Sequence, residues 1–465
     1  MTASHGRVTR AVATATVAAA ALGVELPGTA QAHVASGSVG AALPLLVYVG
    51  GATLTVALSF GFFALVDAGP SGDAATGRVH HVPRWLRAGL RAAGLVAWLW
   101  IVAQALVGGD NEADVASLFL WAYGWVGLAI VSALVGPAWN WIDPFATLHD
   151  IAAAVARRLR SGSGAVRADV VTGDATKLAS WPAVAGFAFF AWLELVFFVT
   201  GARLLGLVLV GYTIVTVAAM GQFGRDAWRS SGETFSVWFR LLGRMAPFAL
   251  DAEDPNGVRR RSFASGLAEG PWSTSLLALI ALAVGSMVYG SVAQTSVFFD
   301  FFGLLDTIGG TIVLAIFLLI LVGAILWAAR SVGVPAMTAG LIPVAAGFLI
   351  AASLSTLLVD GQRIVVALSD PFQQGWDLFG TATFHAVAWI PADLLWGVQL
   401  ATVVGGCIVG ASAAQRVRRG GVPLRSVAGS HEAARVRPRL LPLMMVMAVL
   451  SSTMVWSLGQ ILGIQ

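Results

Sequence analysis

Ten apolar stretches, separated by polar loops, are the feature that most restricts what this chain can fold into. A helix that crosses a bilayer needs about 20 apolar residues, and each stretch is close to that length. We therefore predict an all-α fold, a polytopic transmembrane helix bundle of about ten spans. The spans lie near 41–66, 88–107, 115–136, 181–200, 204–222, 272–293, 308–329, 333–359, 390–412 and 440–461.

The composition agrees with a lipid environment. Apolar residues make up 57% of the chain and charged residues 11%, against about 45–50% and about 25% in soluble proteins. The isoelectric point is near 9.8, which on its own suggests a nucleic-acid partner. The basic residues, however, lie in loops beside the spans, where they contact anionic lipid. We expect the lipid bilayer as a partner and no nucleic acid; the composition does not identify a small-molecule substrate.

The loops alternate in charge, and this alternation predicts an orientation. Of the 28 Lys and Arg residues, 24 fall on one side of the predicted membrane. Loops such as 108–114 and 294–307 carry acidic residues and no basic ones. Lys and Arg are retained in the cytoplasm during insertion. We therefore predict a multi-pass protein of the bacterial cytoplasmic (inner) membrane, with the mature N-terminus and the C-terminus outside the cytoplasm.

Residues 1–32 have the pattern of a signal peptide. Arg7 and Arg10 precede a short apolar run at 11–24, and Ala30-Gln31-Ala32 forms a cleavage site of small residues. Cleavage there would leave a single transmembrane domain, 33–465, that begins at His33. An uncleaved signal anchor is the alternative.

Two cytoplasmic loops contain patterns of amphipathic helices. After Asp143-Pro144, apolar residues recur at helical spacing as far as Leu159, and arginines follow. A second helix follows Ser230-Ser231-Gly232-Glu233, which has the pattern of a capping box. Such helices are typical of the membrane interface, with arginines toward anionic headgroups. Packing beneath the bundle is the alternative for both.

The spans contain few residues that could carry chemistry. Glu194 is the only carboxylate well inside a span, where an ionisable group is costly and often functional, for example as a proton or cation site. A protonated, purely structural Glu194 is the alternative. Gly406 and Gly410 flank the single cysteine, Cys407, in a pattern that favours close helix contact.

The extracytoplasmic loops gather most of the remaining candidates. The stretch 369–391 is rich in aromatic residues and includes Asp370, Asp377 and His385, which we predict to form a catalytic site. An N-terminal His33 would offer both its amine and its imidazole to a metal. With His385 it predicts a transition-metal site, with copper or zinc as the candidate ions. There is a competing interpretation. The acidic loops only reflect the orientation of the protein, and the aromatic residues form an interfacial belt.

Several segments together resemble one family of bacterial polytopic membrane proteins, the fenitrothion hydrolase-like proteins. They are Ala32-His33, Trp139-Asn140 leading into Pro144-Phe145, GRDAWRSSGETFSVWFRLLGRMAP at 224–247, and DPFQQGWDLFGT at 370–381. The resemblance implies a metal-assisted hydrolase of organophosphate triesters with an extracytoplasmic site. It also implies histidines on the penultimate long span, and 403–419 contains none.

Two alternatives to the hydrolase follow from the residues themselves. Polytopic proteins without a nucleotide-binding motif are commonly transporters or permeases driven by an ion gradient, here with Glu194 as the coupling site. The other alternative is a non-catalytic membrane protein that handles copper or another metal outside the cytoplasm.

Overall fold

The computed structural model describes residues 43–65, 79–108, 114–161, 174–197, 202–251, 254, 256–419 and 440–464. This part of the chain is an assembly of α-helices, which confirms the predicted fold class. Among the described residues, nine helices are long and apolar enough to cross a membrane. A shorter apolar helix lies at the position of the remaining predicted span. The predicted signal peptide and His33 lie outside the described residues.

Ten helices correspond to the ten predicted spans, with bounds within several residues of the prediction. They are α1 (Leu45–Leu65), α2 (Arg84–Val107), α3 (Val115–Leu134), α5 (Trp181–Phe197), α6 (Ala202–Phe223), α8 (Thr274–Val292), α9 (Thr307–Val332), α10 (Val334–Leu358), α11 (Ala392–Arg419) and α12 (Leu441–Ile461).

The remaining elements lie in the loops. Two helices match the predicted amphipathic patterns, α4 (Pro144–Ser161) and α7 (Thr234–Leu242). Shorter helical segments are Trp139–Ile142, Ala175–Leu178, Arg225–Ser231, Ser265–Ala268, Ser296–Phe302, Asp360–Arg363 and Ile364–Ser369. Three short strands are β1 (His80–His81), β2 (Phe248–Leu250) and β3 (Gly257–Arg260).

The chain forms two compact units. Among the described residues, unit 1 comprises 43–65, 284–355, 388–419 and 440–464, and unit 2 comprises 79–108, 114–161, 174–197, 202–251, 254, 256–283 and 356–387. Unit 1 therefore contains α1, α9, α11, α12, most of α10 and the second half of α8, and unit 2 contains α2 to α7.

Within unit 1, α10 and α11 are in close contact through glycines. A Cβ at Gly406 would lie 2.5 Å from the carbonyl oxygen of Pro343, and one at Gly410 would lie 2.2 Å from that of Gly340. Neither position can carry a side chain without moving the backbones apart. The predicted contact at Gly406 and Gly410 is confirmed, and Cys407 between them is fully buried.

Within unit 2, two loops that the charge alternation predicts to lie on one side of the membrane contact each other. The loop before α2 and the long loop after α7 form one antiparallel sheet, in the order β1-β3-β2. Toward the other end of α2, the Trp100 indole donates to the carbonyl oxygen of Pro371 at 3.0 Å. The sequence did not predict the sheet, because its strands are only two to four residues long.

Helix α4 begins as predicted and keeps an exposed apolar face. Asp143 accepts hydrogen bonds from the backbone N–H groups of Phe145 and Ala146, at 2.9 and 3.1 Å. It is therefore the N-cap that the sequence predicts. Leu159 is 74% exposed. An exposed apolar side chain of this kind agrees with the predicted interfacial position, which stays a prediction.

Helix α7 packs inside unit 2. Nearly all its residues are buried, and Trp238 has no exposed surface. This burial supports packing within the bundle, the alternative for this helix. The predicted capping box is wrong, because the Ser230 and Ser231 hydroxyls donate to the carbonyl oxygen of Ala227 in the preceding helix. Glu233 is itself the N-cap.

Candidate functional site

Unit 2 contains a cavity of about 60 Å³ that is walled by aromatic rings. A single water needs about 10–15 Å³, so the space is larger than a water site. Residues from α2 to α7 line it, together with Trp139. The lining comprises Trp98, Phe119, Leu120, Gly124, Trp125, Leu128, Trp139, Phe145, Gly186, Phe189, Phe190, Leu193, Val208, Leu209, Tyr212, Phe235 and Phe239.

The aromatic side chains of the cavity hold one another in place. Trp125 of α3 lies with its ring centroid 4.8 Å from that of Phe190 and stacks on Trp238 of α7 at 5.4 Å. On the opposite side, Trp98 meets Phe145 edge to face at 5.0 Å. Such aromatic pairs add to the stability gained from buried area alone. The wall is therefore a preformed aromatic surface, and its composition, though not its volume, matches that of sites for small molecules.

Two of the walls depart from regular α-helix. In α3 the segment Leu118–Gly127 is π-helical, and in α5 the segment Leu193–Phe197 is π-helical. The wider turns change the direction in which side chains leave the helix. Wide turns of this kind are rare and occur frequently at functional sites. Both segments contribute residues to the cavity, which favours a functional role for it.

A buried ion pair lies next to one side of the cavity. Asp143 is 2% exposed, and its carboxylate accepts a 2.7 Å hydrogen bond from Nε of Arg229. Nη2 of Arg229 also donates to the side-chain oxygen of Asn140 at 3.1 Å. Since Trp139 and Phe145 on either side of these residues line the cavity, the ion pair fixes two of its aromatic side chains.

A second buried carboxylate lies beside the first. Glu233 is 1% exposed and caps α7 by accepting from the N–H groups of Phe235 at 3.0 Å and Ser236 at 2.6 Å. It also accepts a hydrogen bond from the hydroxyl of Tyr212, a cavity residue. Burial, and then the negative charge of Asp143, raises the pKa of Glu233, while hydrogen bonds from Ser236 and Tyr212 act against that rise. We call Asn140, Asp143, Arg229, Glu233 and Tyr212 the polar floor.

Glu194, the predicted intramembrane residue, lies in the π-helical segment of α5. Its side chain is half-buried. The preceding residue, Leu193, is buried and lines the cavity. Glu194 is thus adjacent in sequence to the cavity wall, although it is not one of the lining residues.

The predicted outer site residues have local structural roles. The carboxylate of Asp370 accepts from the N–H groups of Gln374 at 2.8 Å and Gly375 at 2.7 Å. One carboxylate oxygen of Asp377 accepts from the Ser369 hydroxyl at 2.9 Å and the Ala382 N–H at 3.0 Å. These hydrogen bonds lower the pKa of Asp377.

The stretch that holds these residues is an irregular, largely exposed loop. His385 is exposed, as are Trp376 and Phe379. Gly375 and Gly380 adopt positive φ angles of 79° and 70°, so both carry the special backbone conformation that glycine allows. The loop folds back at Pro371 and at Val387, where its backbone bonds to Trp100 and Gln362.

The predicted metal site at His33 and His385 stays a prediction. No group of three or more His, Cys, Asp or Glu side chains in this part of the chain could hold a metal ion. Both oxygens of Asp370 and one oxygen of Asp377 accept hydrogen bonds from backbone and hydroxyl donors. His33, the other predicted ligand, lies outside the described ranges.

Comparison of the chain with family models, with curated proteins and with solved structures gives no match. The resemblance to fenitrothion hydrolase-like proteins therefore stays a prediction from the sequence segments. The structure does locate these segments. Those at 139–145 and 224–247 meet at the polar floor, and 370–381 lies in the outer loop of the same unit.

The cavity and its floor are what sequence reasoning missed. A signal was present, because Asp143, Arg229 and Glu233 belong to the segments that carry the resemblance. Their hydrogen-bonding roles were hidden, since arginine and glutamate in a cytoplasmic loop are ordinarily solvated.

Proposed function

We propose that this membrane protein binds a small, ring-bearing molecule in the aromatic cavity of unit 2 and acts as a permease for it. The observation that carries the proposal is the lining itself, in which ten aromatic side chains from several helices surround one space. Such a lining favours the flat face of a ring through stacking and edge contacts. Ring-bearing molecules dissolve in the bilayer, so a site between membrane helices can take them from the lipid.

Two further features support transport. The cavity walls include the π-helical segments of α3 and α5, and irregular helices are common where transporters bind their substrates. A buried carboxylate at the polar floor and Glu194 in α5 supply titratable groups beside the binding space. Carboxylates in such positions serve as proton relays in pumps and transporters.

The hydrolase implied by the resemblance is the second candidate. It is favoured by the position of the resembling segments, two of which support the cavity. An aromatic cavity also suits the aryl group of an organophosphate triester. In this proposal Asp370, Asp377 and His385 remain the catalytic candidates, and the described residues supply no metal site for the reaction.

One experiment separates the two candidates. Proteoliposomes with an inward proton gradient are incubated with a dialkyl 4-nitrophenyl phosphate. A permease accumulates the intact triester above protein-free liposomes, whereas a hydrolase releases yellow 4-nitrophenolate. Release that is lost in His385→Ala would support the hydrolase, and accumulation that is lost in Glu194→Gln would support coupled transport. If the wild-type protein gives neither accumulation nor release, both candidate functions are contradicted.

A matched pair of variants on α6 tests the cavity itself. Leu209 lines the cavity and is 5% exposed, whereas Leu207, two residues earlier, is 60% exposed. Leu209→Trp fills the cavity and should abolish either activity. Leu207→Trp adds the same volume on the outer surface and should leave activity unchanged. Equal activities in the two variants would exclude the cavity as the site.

The metal-handling alternative stays a prediction. It requires stoichiometric copper or zinc in the purified protein and the loss of that metal when His33 is replaced. Elemental analysis and N-terminal sequencing test it directly. A metal-free wild-type protein that retains activity would contradict it.

A further inference from the structure

The Glu233–Tyr212 pair links the cavity to a buried carboxylate. Tyr212 lines the cavity from α6, and its hydroxyl donates to Glu233 at the start of α7. A tyrosine hydroxyl has one hydrogen to donate. While Glu233 accepts that hydrogen, the hydroxyl has none to offer a ligand, and the cavity presents almost only apolar surface.

The surroundings of Glu233 act in opposite directions on its pKa. The carboxylate accepts hydrogen bonds from the Phe235 N–H, the Ser236 N–H and the Tyr212 hydroxyl. Such donors favour the ionised form. Burial favours the neutral form, and the charge of Asp143 acts in the same direction. The net effect raises the pKa of Glu233, with burial as the largest cause.

The charged groups around Glu233 come from three neighbouring elements. Asp143 precedes α4 and is paired with Arg229 of the Arg225–Ser231 helix. Arg240, on α7 itself, donates to the backbone oxygen of Ser230. Tyr212 is the titratable side chain that α6 contributes. Arg229 is directed to Asp143 and Asn140. Within the described part of the chain, the hydrogen-bond donors to the Glu233 carboxylate are therefore backbone N–H groups and a hydroxyl, and not a guanidinium.

Protonation would reverse the hydrogen bond between the two side chains. A neutral Glu233, having taken one proton from water, carries an O–H that donates to the Tyr212 oxygen. The hydrogen of Tyr212 is then free to turn toward another acceptor. Tyr212 lines the aromatic cavity, where a ligand oxygen would compete for this hydrogen with the hydroxyls of Thr216 and Thr234, the other side chains that hydrogen-bond with Tyr212.

We infer that a ring-bearing ligand with an acceptor oxygen enters the cavity together with one proton, which binds to Glu233 and frees the Tyr212 hydroxyl to donate to that oxygen. The inference rests on the proposed function and deepens it, since it names the ligand class as aromatic compounds that carry a carbonyl, nitro or phosphoryl oxygen. It also names Glu233 as the proton site that accompanies such a ligand.

The test compares two probes of the same shape. Acetophenone carries a carbonyl oxygen, and α-methylstyrene replaces that oxygen with a CH₂ group. Binding to the purified full-length protein is measured by equilibrium dialysis across pH, with protein-free micelles as the blank. Once pH exceeds the pKa of Glu233, the acetophenone dissociation constant should rise by up to about tenfold per pH unit, as linkage to one proton requires. The α-methylstyrene constant should not change.

Two variants give opposite expected results. Tyr212→Phe removes the donor, so acetophenone should bind as weakly as α-methylstyrene at every pH. Glu233→Gln carries a permanent donor toward Tyr212, so acetophenone should bind at high pH as tightly as it binds to the wild-type protein at low pH. Tyr289→Phe, a buried tyrosine of unit 1, is the matched control and should behave as wild type. Tyr212→Phe leaves the cap of α7 intact, so the test stands even if Glu233→Gln fails to fold.

The outcomes distinguish this inference from the function on which it rests. If neither probe binds at any pH, the cavity is not a ligand site and the proposed function fails. If both probes bind without pH dependence, or if Tyr212→Phe keeps the wild-type pH profile, the cavity stands as a ligand site and the role of Glu233 is overturned.

Discussion

Removal of Arg229 should destabilise unit 2 strongly, because it would leave a charge buried without its partner. The Asp143 side chain is 1% exposed and its Arg229 partner 16% exposed. Arg229→Met keeps most of the length and apolar contact of the side chain and removes the guanidinium. The substitution therefore isolates the ion pair from the loss of packing.

The expected magnitude follows from burial. Breaking a buried ion pair by removing one partner costs about 3–5 kcal/mol, because the remaining charge stays desolvated. Asp143 still accepts from two backbone N–H groups, which offsets part of that cost, so we expect about 3 kcal/mol. Asp143→Asn removes the other charge of the pair. It keeps a good N-cap and leaves unpaired only the more exposed partner, so the free energy of unfolding should fall by about 1 kcal/mol.

The chain offers a matched control in the pair Arg225–Asp150. Its guanidinium and carboxylate are 2.9 Å apart, but the side chains are 33% and 35% exposed. Pairs of this kind contribute about 0–1 kcal/mol. Arg225→Met should therefore cost at most about 1 kcal/mol, although it removes the same chemical group as Arg229→Met.

Equilibrium unfolding in mixed SDS micelles, followed by tryptophan fluorescence, measures these differences. The double variant Arg229→Met/Asp143→Asn should be more stable than the sum of the single changes predicts, by about 0.5–3 kcal/mol. Equal losses in Arg229→Met and Arg225→Met, or strict additivity in the double variant, would refute the argument that the buried pair stabilises the polar floor.

Three further predictions concern the packing of α10 against α11, the pH dependence of stability and the position of α4. Gly410→Leu should lower the free energy of unfolding by about 1–3 kcal/mol, because the larger side chain overpacks the contact. Gly405 has open space around it, so Gly405→Leu should be tolerated. Thermal unfolding in detergent compares the two variants. Because the pKa of Glu233 is raised, the folded state binds its proton more tightly than the unfolded state does. Stability should therefore fall as pH rises from about 4.3 through the folded pKa, and pH-dependent unfolding of Glu233→Gln should show a flatter profile. A polarity-sensitive dye on Val155→Cys of α4, feasible since Cys407 is buried, should shift to the blue in anionic nanodiscs; emission typical of water would contradict an interfacial α4.

The sequence was sufficient for the helices and for much of the packing by small residues. Apolar runs of about 20 residues determine where helices form in a membrane, and Gly406 and Gly410 mark a contact because only glycine permits that approach. The N-cap role of Asp143 could also be predicted from the sequence, because an Asp-Pro pair at a helix start has a specific local geometry.

The interior of unit 2 could not be read in the same way. In a membrane protein, residues that face lipid and residues that face other helices are both apolar, so the pattern of Phe235, Trp238 and Phe239 fits an interfacial helix and a buried one equally well. The π-helical turns at Leu118–Gly127 and Leu193–Phe197 also depend on packing against neighbours and have no local sequence signature. The structure was needed to show that α7 closes a cavity.

The segments that resemble hydrolase-like proteins now have a structural explanation that does not depend on a reaction. Asn140, Asp143, Arg229 and Glu233 are tied together or to helix ends by hydrogen bonds, and Tyr212 joins them to the cavity. A chain that retains these residues retains the floor on which the aromatic side chains rest, whatever molecule it binds. We propose that the resemblance reflects this shared floor rather than a shared reaction, and Glu233 is the first of its groups to test.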